Sequence, residues 1–239
     1  MLLMSNSAPY LNPIVFVGNE KAYVDAYNKK PKTEKNGAIW DGDDADLVKV
    51  KKIIKDYYLK VQDYTCAYCR QRVEVEHNGA WDTEHIIPKD SYPQFLFEPE
   101  NLCVSCKDCN GAKSNKEVLK RKGRVRFPRE AKDYLFCHPY FHVYTDHVRI
   151  VRKAALYLPK TEEGKRLIEI CGLLRFVLKF ADYDCVDEEV SMKMIMLATE
   201  LQDTSSPMEQ MAIMMLANKM LEEKMQGMAR AAMNKYALG

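Results

Sequence analysis

Two cysteine pairs, Cys66-Ala67-Tyr68-Cys69 and Cys106-Lys107-Asp108-Cys109, carry the most specific chemistry in this sequence. A gap of two residues lets both thiolates of a pair chelate one ion, and two such pairs offer the four sulfurs of a closed tetrahedral zinc site. A closed site has no open coordination position, so it staples structure and leaves any reaction to the residues it clamps. Cys103 and Cys106 share the same gap, so spacing alone leaves the choice of the fourth sulfur open. The 36 residues between the pairs exceed the loop of a simple zinc finger and must carry structure of their own. Among them the run Asp82-Thr83-Glu84-His85-Ile86-Ile87-Pro88-Lys89 sets an imidazole beside a carboxylate. A group that titrates near neutral pH in such a place can serve as a general base.

The elements that position these residues follow from periodicity and punctuation. Asn19 caps a short helix through Tyr27, and Lys29 to Gly42 reads as a loop. Asp43 or Asp44 opens an amphipathic helix in which Leu47, Val50, Ile53, Ile54, Tyr57, Tyr58 and Val61 recur at three and four, delivering the chain to Cys66. Val73 and Val75 then alternate with Glu74 and Glu76, and Asn78-Gly79 predicts a tight hairpin returning through Trp81 to Ile87. Pro88, Pro93 and Pro99 enforce a loop to Asn101, and Asn110 to Lys122 reads as a helix stopped by Gly123. Short extended pieces are expected at His147 to Val151 and Ala154 to Leu158. Three helices follow: one from Thr161, with Leu167, Ile168, Cys171, Leu174 and Leu178 on one side, one over Asp187 to Gln202, and one opened by Ser206-Pro207.

Composition bounds the class. The chain has 239 residues, of which 47% are hydrophobic and 29% charged, which excludes a mainly disordered, collagen-like or solenoid protein. Apolar stretches are broken by charge too often for a membrane span, and Met1 to Phe16 lacks a basic leader, so the expected address is the cytoplasm. There the eight cysteines read as ligands or buried thiols more readily than as disulfides. The net charge of +2 is uninformative, but Lys107 to Lys132 holds ten Lys or Arg against three acids, a candidate phosphate-binding surface. Eleven of the 13 methionines lie between Met192 and Met233, a pattern that fits either core filling or an adaptable partner surface.

The ordered set of Cys-x-x-Cys, Glu84-His85-Ile86-Ile87-Pro88, Asn101-Leu102 and Cys106-x-x-Cys109-Asn110 with Lys113 resembles the zinc-supported HNH endonucleases, over about residues 64 to 120. The resemblance implies a ββα-metal unit and a nuclease that hydrolyses phosphodiester bonds of DNA. It implies His85 as general base, Asn101 as a brace that orients His85, and Asn110 as ligand of a catalytic Mg²⁺ or Mn²⁺ with Glu84 as carboxylate partner. Asp82 is a rival for that carboxylate. In the family the last cysteine directly precedes the third motif residue, so the implied zinc set is Cys66, Cys69, Cys106 and Cys109, with Cys103 a bystander. The departure from the family is Glu84 where Asp is commoner before the histidine. In this setting Lys113, Lys116, Lys120 and Arg121 are expected to track the phosphate backbone.

Glu84-His85 with Pro88-Lys89, and the later His138-Pro139-Tyr140-Phe141, also resemble a bacterial HNH subgroup that includes nuclease subunits of Septu-type anti-phage systems, some associated with retrons. That resemblance implies a defence effector regulated by an ABC-type ATPase, docking through the C-terminal helices. The chain itself carries no Gly-x-x-x-x-Gly-Lys-Ser/Thr loop. The expected fold is α+β and mostly helical: an N-terminal helical segment (1–62), a ββα-metal nuclease unit with its four-cysteine zinc site (63–123), and a helical C-terminal docking region (124–239). Two other readings remain open at this level: a catalytically silent zinc-scaffolded nucleic-acid-binding module, and an HNH nuclease acting on RNA.

Overall fold

A computed structural model describes residues 11–75, 78–151, 156–176 and 188–237. The fold is α+β, with helices predominating over two small two-stranded sheets. The chain divides into two compact units, Met1–Val148 with Thr161–Leu173, and Arg149–Lys160 with Leu174–Gly239.

In the first unit, α1 (Gly18–Asn28) and α2 (Ala45–Val61) pack against each other. The Asp44 side chain caps α2 by accepting from the Leu47 amide at 2.9 Å, satisfying one of the helix's orphan donors. Leu47, Val50, Ile54 and Tyr58 form its buried face. Tyr58 ties distant segments together: its hydroxyl accepts from the Ile14 amide at 3.1 Å and donates to the Pro99 carbonyl at 2.8 Å. Just past the helix, buried Gln62 pairs with the backbone of Val104, accepting from its N–H and donating to its C=O, both at 2.8 Å. This amide locks α2 to the central sheet.

That sheet is β1 (Trp81–His85) antiparallel to β2 (Leu102–Cys106), with Glu84 opposite Cys103 and His85 opposite Leu102. Among the described residues, 73–75 do not pair with β1 in the hairpin expected from 73–76. The Val73 amide instead donates to the Tyr64 carbonyl, and residues 78–80 make a single 3-10 turn. The physical reason is burial: Leu102 to Ser105 are fully enclosed, whereas Val73 is exposed, so β2 offers β1 the larger apolar gain. Glu76 and His77 lie outside the described residues.

α3 spans Lys107–Lys113 and stops well short of Lys122. Ser114 leaves the helix at φ 47° and ψ −136°. Beyond it, Val118 and Leu119 are buried by pairing with another stretch of chain, Leu119 bridging Tyr134 and the Leu135 amide donating to Val118. Tertiary burial thus overrides a polar sequence that locally suits a helix.

α4 (Tyr144–His147) and α5 (Glu162–Ile170) complete this unit. Thr161 caps α5 by accepting from the Gly164 amide at 3.2 Å. A Cβ on Gly164 would meet the His147 carbonyl oxygen at 1.9 Å, so only glycine permits this approach. α5 ends at Ile170, earlier than Leu174, and Leu178 lies outside the described residues.

A histidine knot sits before α4. His142 Nδ1 accepts from the His138 amide at 3.0 Å, and His138 Nδ1 accepts from the Tyr140 amide at 3.2 Å. Each bond requires an unprotonated Nδ1. Burial pushes His142 down to about 4 and His138 well below the usual imidazole range. Both depressed values mean that the unfolded chain binds more protons, so stability is complete above the unfolded imidazole range near 6.5 and declines as pH falls toward about 4. His142→Gln is expected to remove about 1.4 kcal/mol per pH unit from that slope, as read by chemical denaturation at several pH values.

The second unit contains all but the first residue of β3 (Val148–Val151), which pairs with β4 (Leu156–Pro159), and the helices α6 (Glu188–Asp203) and α7 (Pro207–Ala237), which pack on each other. Ala154 and Asp187, expected at the starts of a strand and a helix, lie outside the described residues. The methionines of this unit are not all in a core. Met208 is 82% exposed, and Met196, Met211 and Met215 are exposed as well.

Candidate active site and metal centre

The turn after α2 carries the first cysteine pair. Thr65 bridges Arg72, and the Arg70 amide donates to the Cys66 carbonyl at 3.0 Å, with Arg70 itself at φ 59°. This knuckle sets Cys66 and Cys69 against Cys106, the last residue of β2, and Cys109, in the first turn of α3. All four sulfurs lie within 4.8 Å of one another. Zinc–sulfur bonds near 2.3 Å place tetrahedral sulfurs about 3.8 Å apart, so the cluster matches what a zinc ion needs. The Cys106 amide donates to Cys66 Sγ at 3.4 Å, and hydrogen bonds from Cys109, Cys66 and Cys69 hold the Cys106 thiol far below its ordinary range. Cys103 is on a different side of β2. It is fully buried opposite Glu84 and is not among the four clustered sulfurs.

On the far side of β1 from its start, His85 ends the strand inside the unit. Its Nε2 lies 3.1 Å from the Leu96 carbonyl oxygen. A carbonyl can only accept, so Nε2 carries the proton and Nδ1 keeps the lone pair. Trp40, from the 3-10 turn Gly37–Asp41, sets its ring edge-on to the imidazole at 4.5 Å. Burial, reinforced by the nearby Lys113 and Lys89 ammonium groups, pushes His85 down to about 3.

Asn101 braces the loop that supplies Leu96. Its side chain accepts from the Ile87 amide at 2.7 Å and donates to the carbonyls of Ile87 and Phe95 at 3.2 and 3.1 Å. With every polar atom used and no exposure, this amide fixes the loop against the end of β1.

Asp82, Glu84, His85 and Asn110 all line one cleft of about 530 Å³. Asn110 Nδ2 donates to Asp82 at 2.9 Å. Glu84 has other partners: the Lys113 ammonium at 2.5 Å and the Tyr68 hydroxyl at 3.1 Å. Burial pushes the Glu84 carboxyl up, and Lys113 and Tyr68 pull it back. The carboxylate that meets Asn110 is therefore Asp82, two residues along the same face of β1.

The basic block is dispersed. Lys113, expected to track the phosphate backbone, is 1% exposed, and its ammonium also donates to the His85 carbonyl at 2.9 Å, which places it in the interior of the site as the ion-pair partner of Glu84. Lys116 is exposed but donates to the Ile170 carbonyl at 3.1 Å, and Lys120 pairs with Glu163 at 3.1 Å. Arg121 is exposed. These side chains do not share a helix face, because α3 ends before them. In their place the cleft is rimmed by Lys51, Lys52 and Lys55 of α2 and by Lys89. The available signal was the polar face of α2, where lysines recur opposite the buried stripe.

Residues 66–116 match the family model described as HNH endonuclease. A curated relative, the Septu protein PtuB of Bacillus thuringiensis, is 37% identical over 70 residues, 29% of this chain and 27% of the relative. The match thus spans about a quarter of that protein's length. No solved structure matches significantly. Among the described residues, no helix is long and apolar enough to cross a membrane. The segment that matches the HNH endonuclease model, residues 66–116, is thus a ββα unit with a four-thiol cluster at its base and a histidine at the end of β1.

Proposed function

We propose that this protein is a metal-dependent endonuclease that hydrolyses phosphodiester bonds of DNA, with His85 as general base. The observation that carries this reading is the His85 ring itself: the Leu96 carbonyl claims Nε2–H, which leaves the Nδ1 lone pair unprotonated on a residue of the cleft that also holds Asp82 and Asn110. Low basicity keeps the imidazole neutral at working pH, so its lone pair is available to take a proton from an attacking water. Asn101 positions the loop carbonyl that orients the ring. The all-oxygen donor set of Asp82 and Asn110, with Glu84 behind it, suits Mg²⁺ or Mn²⁺. Such an ion would stabilise charge on the phosphorane and on the leaving 3′ oxygen. Zinc held by Cys66, Cys69, Cys106 and Cys109 would be structural.

Chemistry is assigned to residues 63–123, and Trp40, Asp41 and the α2 residues Lys51, Lys52, Lys55 and Asp56 line the cleft beside them. Lys116, Lys120 and Arg121 remain candidates for outer backbone contacts. By analogy with the Septu relative, the protein acts as an anti-phage effector in the cytoplasm. An ATPase subunit would supply the nucleotide chemistry this sequence lacks, docking through α6 and α7. The exposed methionines there support that placement.

Supercoiled plasmid incubated with Mg²⁺ or Mn²⁺ tests the activity. Nicking by wild type that EDTA stops and His85→Ala abolishes is the expected result. Equal nicking by the variant would remove His85 from the mechanism, and cleavage of RNA alone would reassign the substrate.

The two carboxylates separate by what they hold. Asp82→Asn is expected to weaken Mn²⁺ binding, followed by electron paramagnetic resonance, on the order of tenfold or more, with stability little changed. Glu84→Gln leaves the Lys113 charge buried without its partner and is expected to cost about 3–5 kcal/mol of stability, as measured by denaturant unfolding.

A further inference from the structure

The lysines of α2 lie outside the matched HNH segment, yet they border the cleft that holds His85 and Asp82. We infer that Lys52 and Lys55, on the exposed face of α2, seat the phosphodiester backbone of the strand entering the cleft, with Lys51 fixing the wall they stand on. This inference rests on the nuclease reading and deepens it.

The placement follows from the helix. Leu47, Val50, Ile54 and Tyr58 turn one side of α2 inward against β1 and β2. Positions 51, 52 and 55 then fall together on the neighbouring arc, since residues three and four apart share a face. The three do different work. Lys51 donates to the carbonyls of Trp40 and Gly42 at 3.0 and 3.1 Å, which ties α2 to the turn whose Trp40 ring abuts His85. Lys52 pairs with Asp56, one helical turn on, where both side chains are exposed. Such a pair contributes little and yields readily to a phosphate. Lys55 is half-buried, and Asp82 on the cleft floor, Lys107 at the start of α3 and Asp56 all act electrostatically on its ammonium group. A floor of carboxylates and an amide beneath a rim of ammonium groups is complementary to a phosphodiester with a cation at its reacting phosphate. The flanking phosphates then meet the lysines. Among the cleft's other lysines, Lys89 is engaged by Asp41 and Asp90, and Lys113 by Glu84.

Each phosphate contact displaces condensed counterions, so the salt dependence of binding counts contacts. Fluorescence anisotropy of a labelled short DNA duplex, titrated with full-length zinc-loaded protein carrying His85→Ala to prevent cleavage, gives the slope of log K against log [salt]. Adding Lys52→Gln and Lys55→Gln is expected to reduce that slope by about 1.8 in magnitude, because each contact contributes about 0.9. Glutamine keeps helix propensity, so zinc content and thermal midpoint should hold. Lys60→Gln, on the same helix but away from the cleft, should leave the slope intact, and arginine at 52 and 55 should restore it. An unchanged slope in the glutamine double variant, while the parent binds DNA, overturns this inference alone. Failure of the parent to bind DNA at all overturns the DNA-nuclease reading, and the inference with it.

Discussion

Cys109→Ser is expected to strip zinc from the protein and unfold the unit built on β1, β2 and α3, whereas Cys103→Ser should leave both zinc and fold in place. The four sulfurs that gather within 4.8 Å come from a turn, a strand end and a helix start, which the metal would join at one point. α3 has only seven residues, too short to be stable alone. Structural zinc in thiolate sites contributes about 10–16 kcal/mol of apparent binding energy at neutral pH, comparable to the whole stability of a domain. Loss of one ligand therefore has no reserve to draw on. Cys103 contributes only packing opposite Glu84, and serine there costs about 1–3 kcal/mol as a buried hydroxyl. Zinc content by atomic absorption and near-ultraviolet circular dichroism distinguish the two variants. A zinc-loaded, folded Cys109→Ser protein would show that the site is closed by another sulfur.

His85→Ala is expected to lower the cleavage rate by about 10²- to 10⁴-fold, the usual contribution of a positioned general base, while zinc content and DNA affinity stay near wild type. The distinction from a structural effect lies in its neighbours. Trp40 packs on the imidazole and Leu96 accepts its proton, so alanine leaves a cavity and some loss of stability. Asn101→Ala is the informative companion. It removes the three hydrogen bonds of a fully buried amide that hold the loop around Leu96, so it should impair both folding and rate. Rate loss with DNA binding retained in the His85 variant, against coupled losses in the Asn101 variant, assigns chemistry to the first and positioning to the second.

Local sequence determined the parts whose cause is local. The caps at Asp44 and Thr161, the apolar stripe of α2 and the Ser206-Pro207 start of α7 depend on neighbours within a turn or two, and all are legible by spacing. The cysteine pairs are equally legible, since chelation by two residues three apart needs only a knuckle. Tertiary structure decided what depends on a distant competitor. β1 could have paired with 73–76, but β2 buries more surface, and that comparison needs both strands in place. The run after Asn110 has helical composition, but Val118 and Leu119 are worth more in the core beside Tyr134 and Leu135 than on a helix. The same competition dispersed the basic block, buried Lys113 against Glu84, and brought α2's lysines to the cleft in its stead. Which of two acids on one strand face meets Asn110 is likewise a matter of geometry: Lys113 and Tyr68 engage Glu84, and Asp82 is the acid that accepts from Asn110.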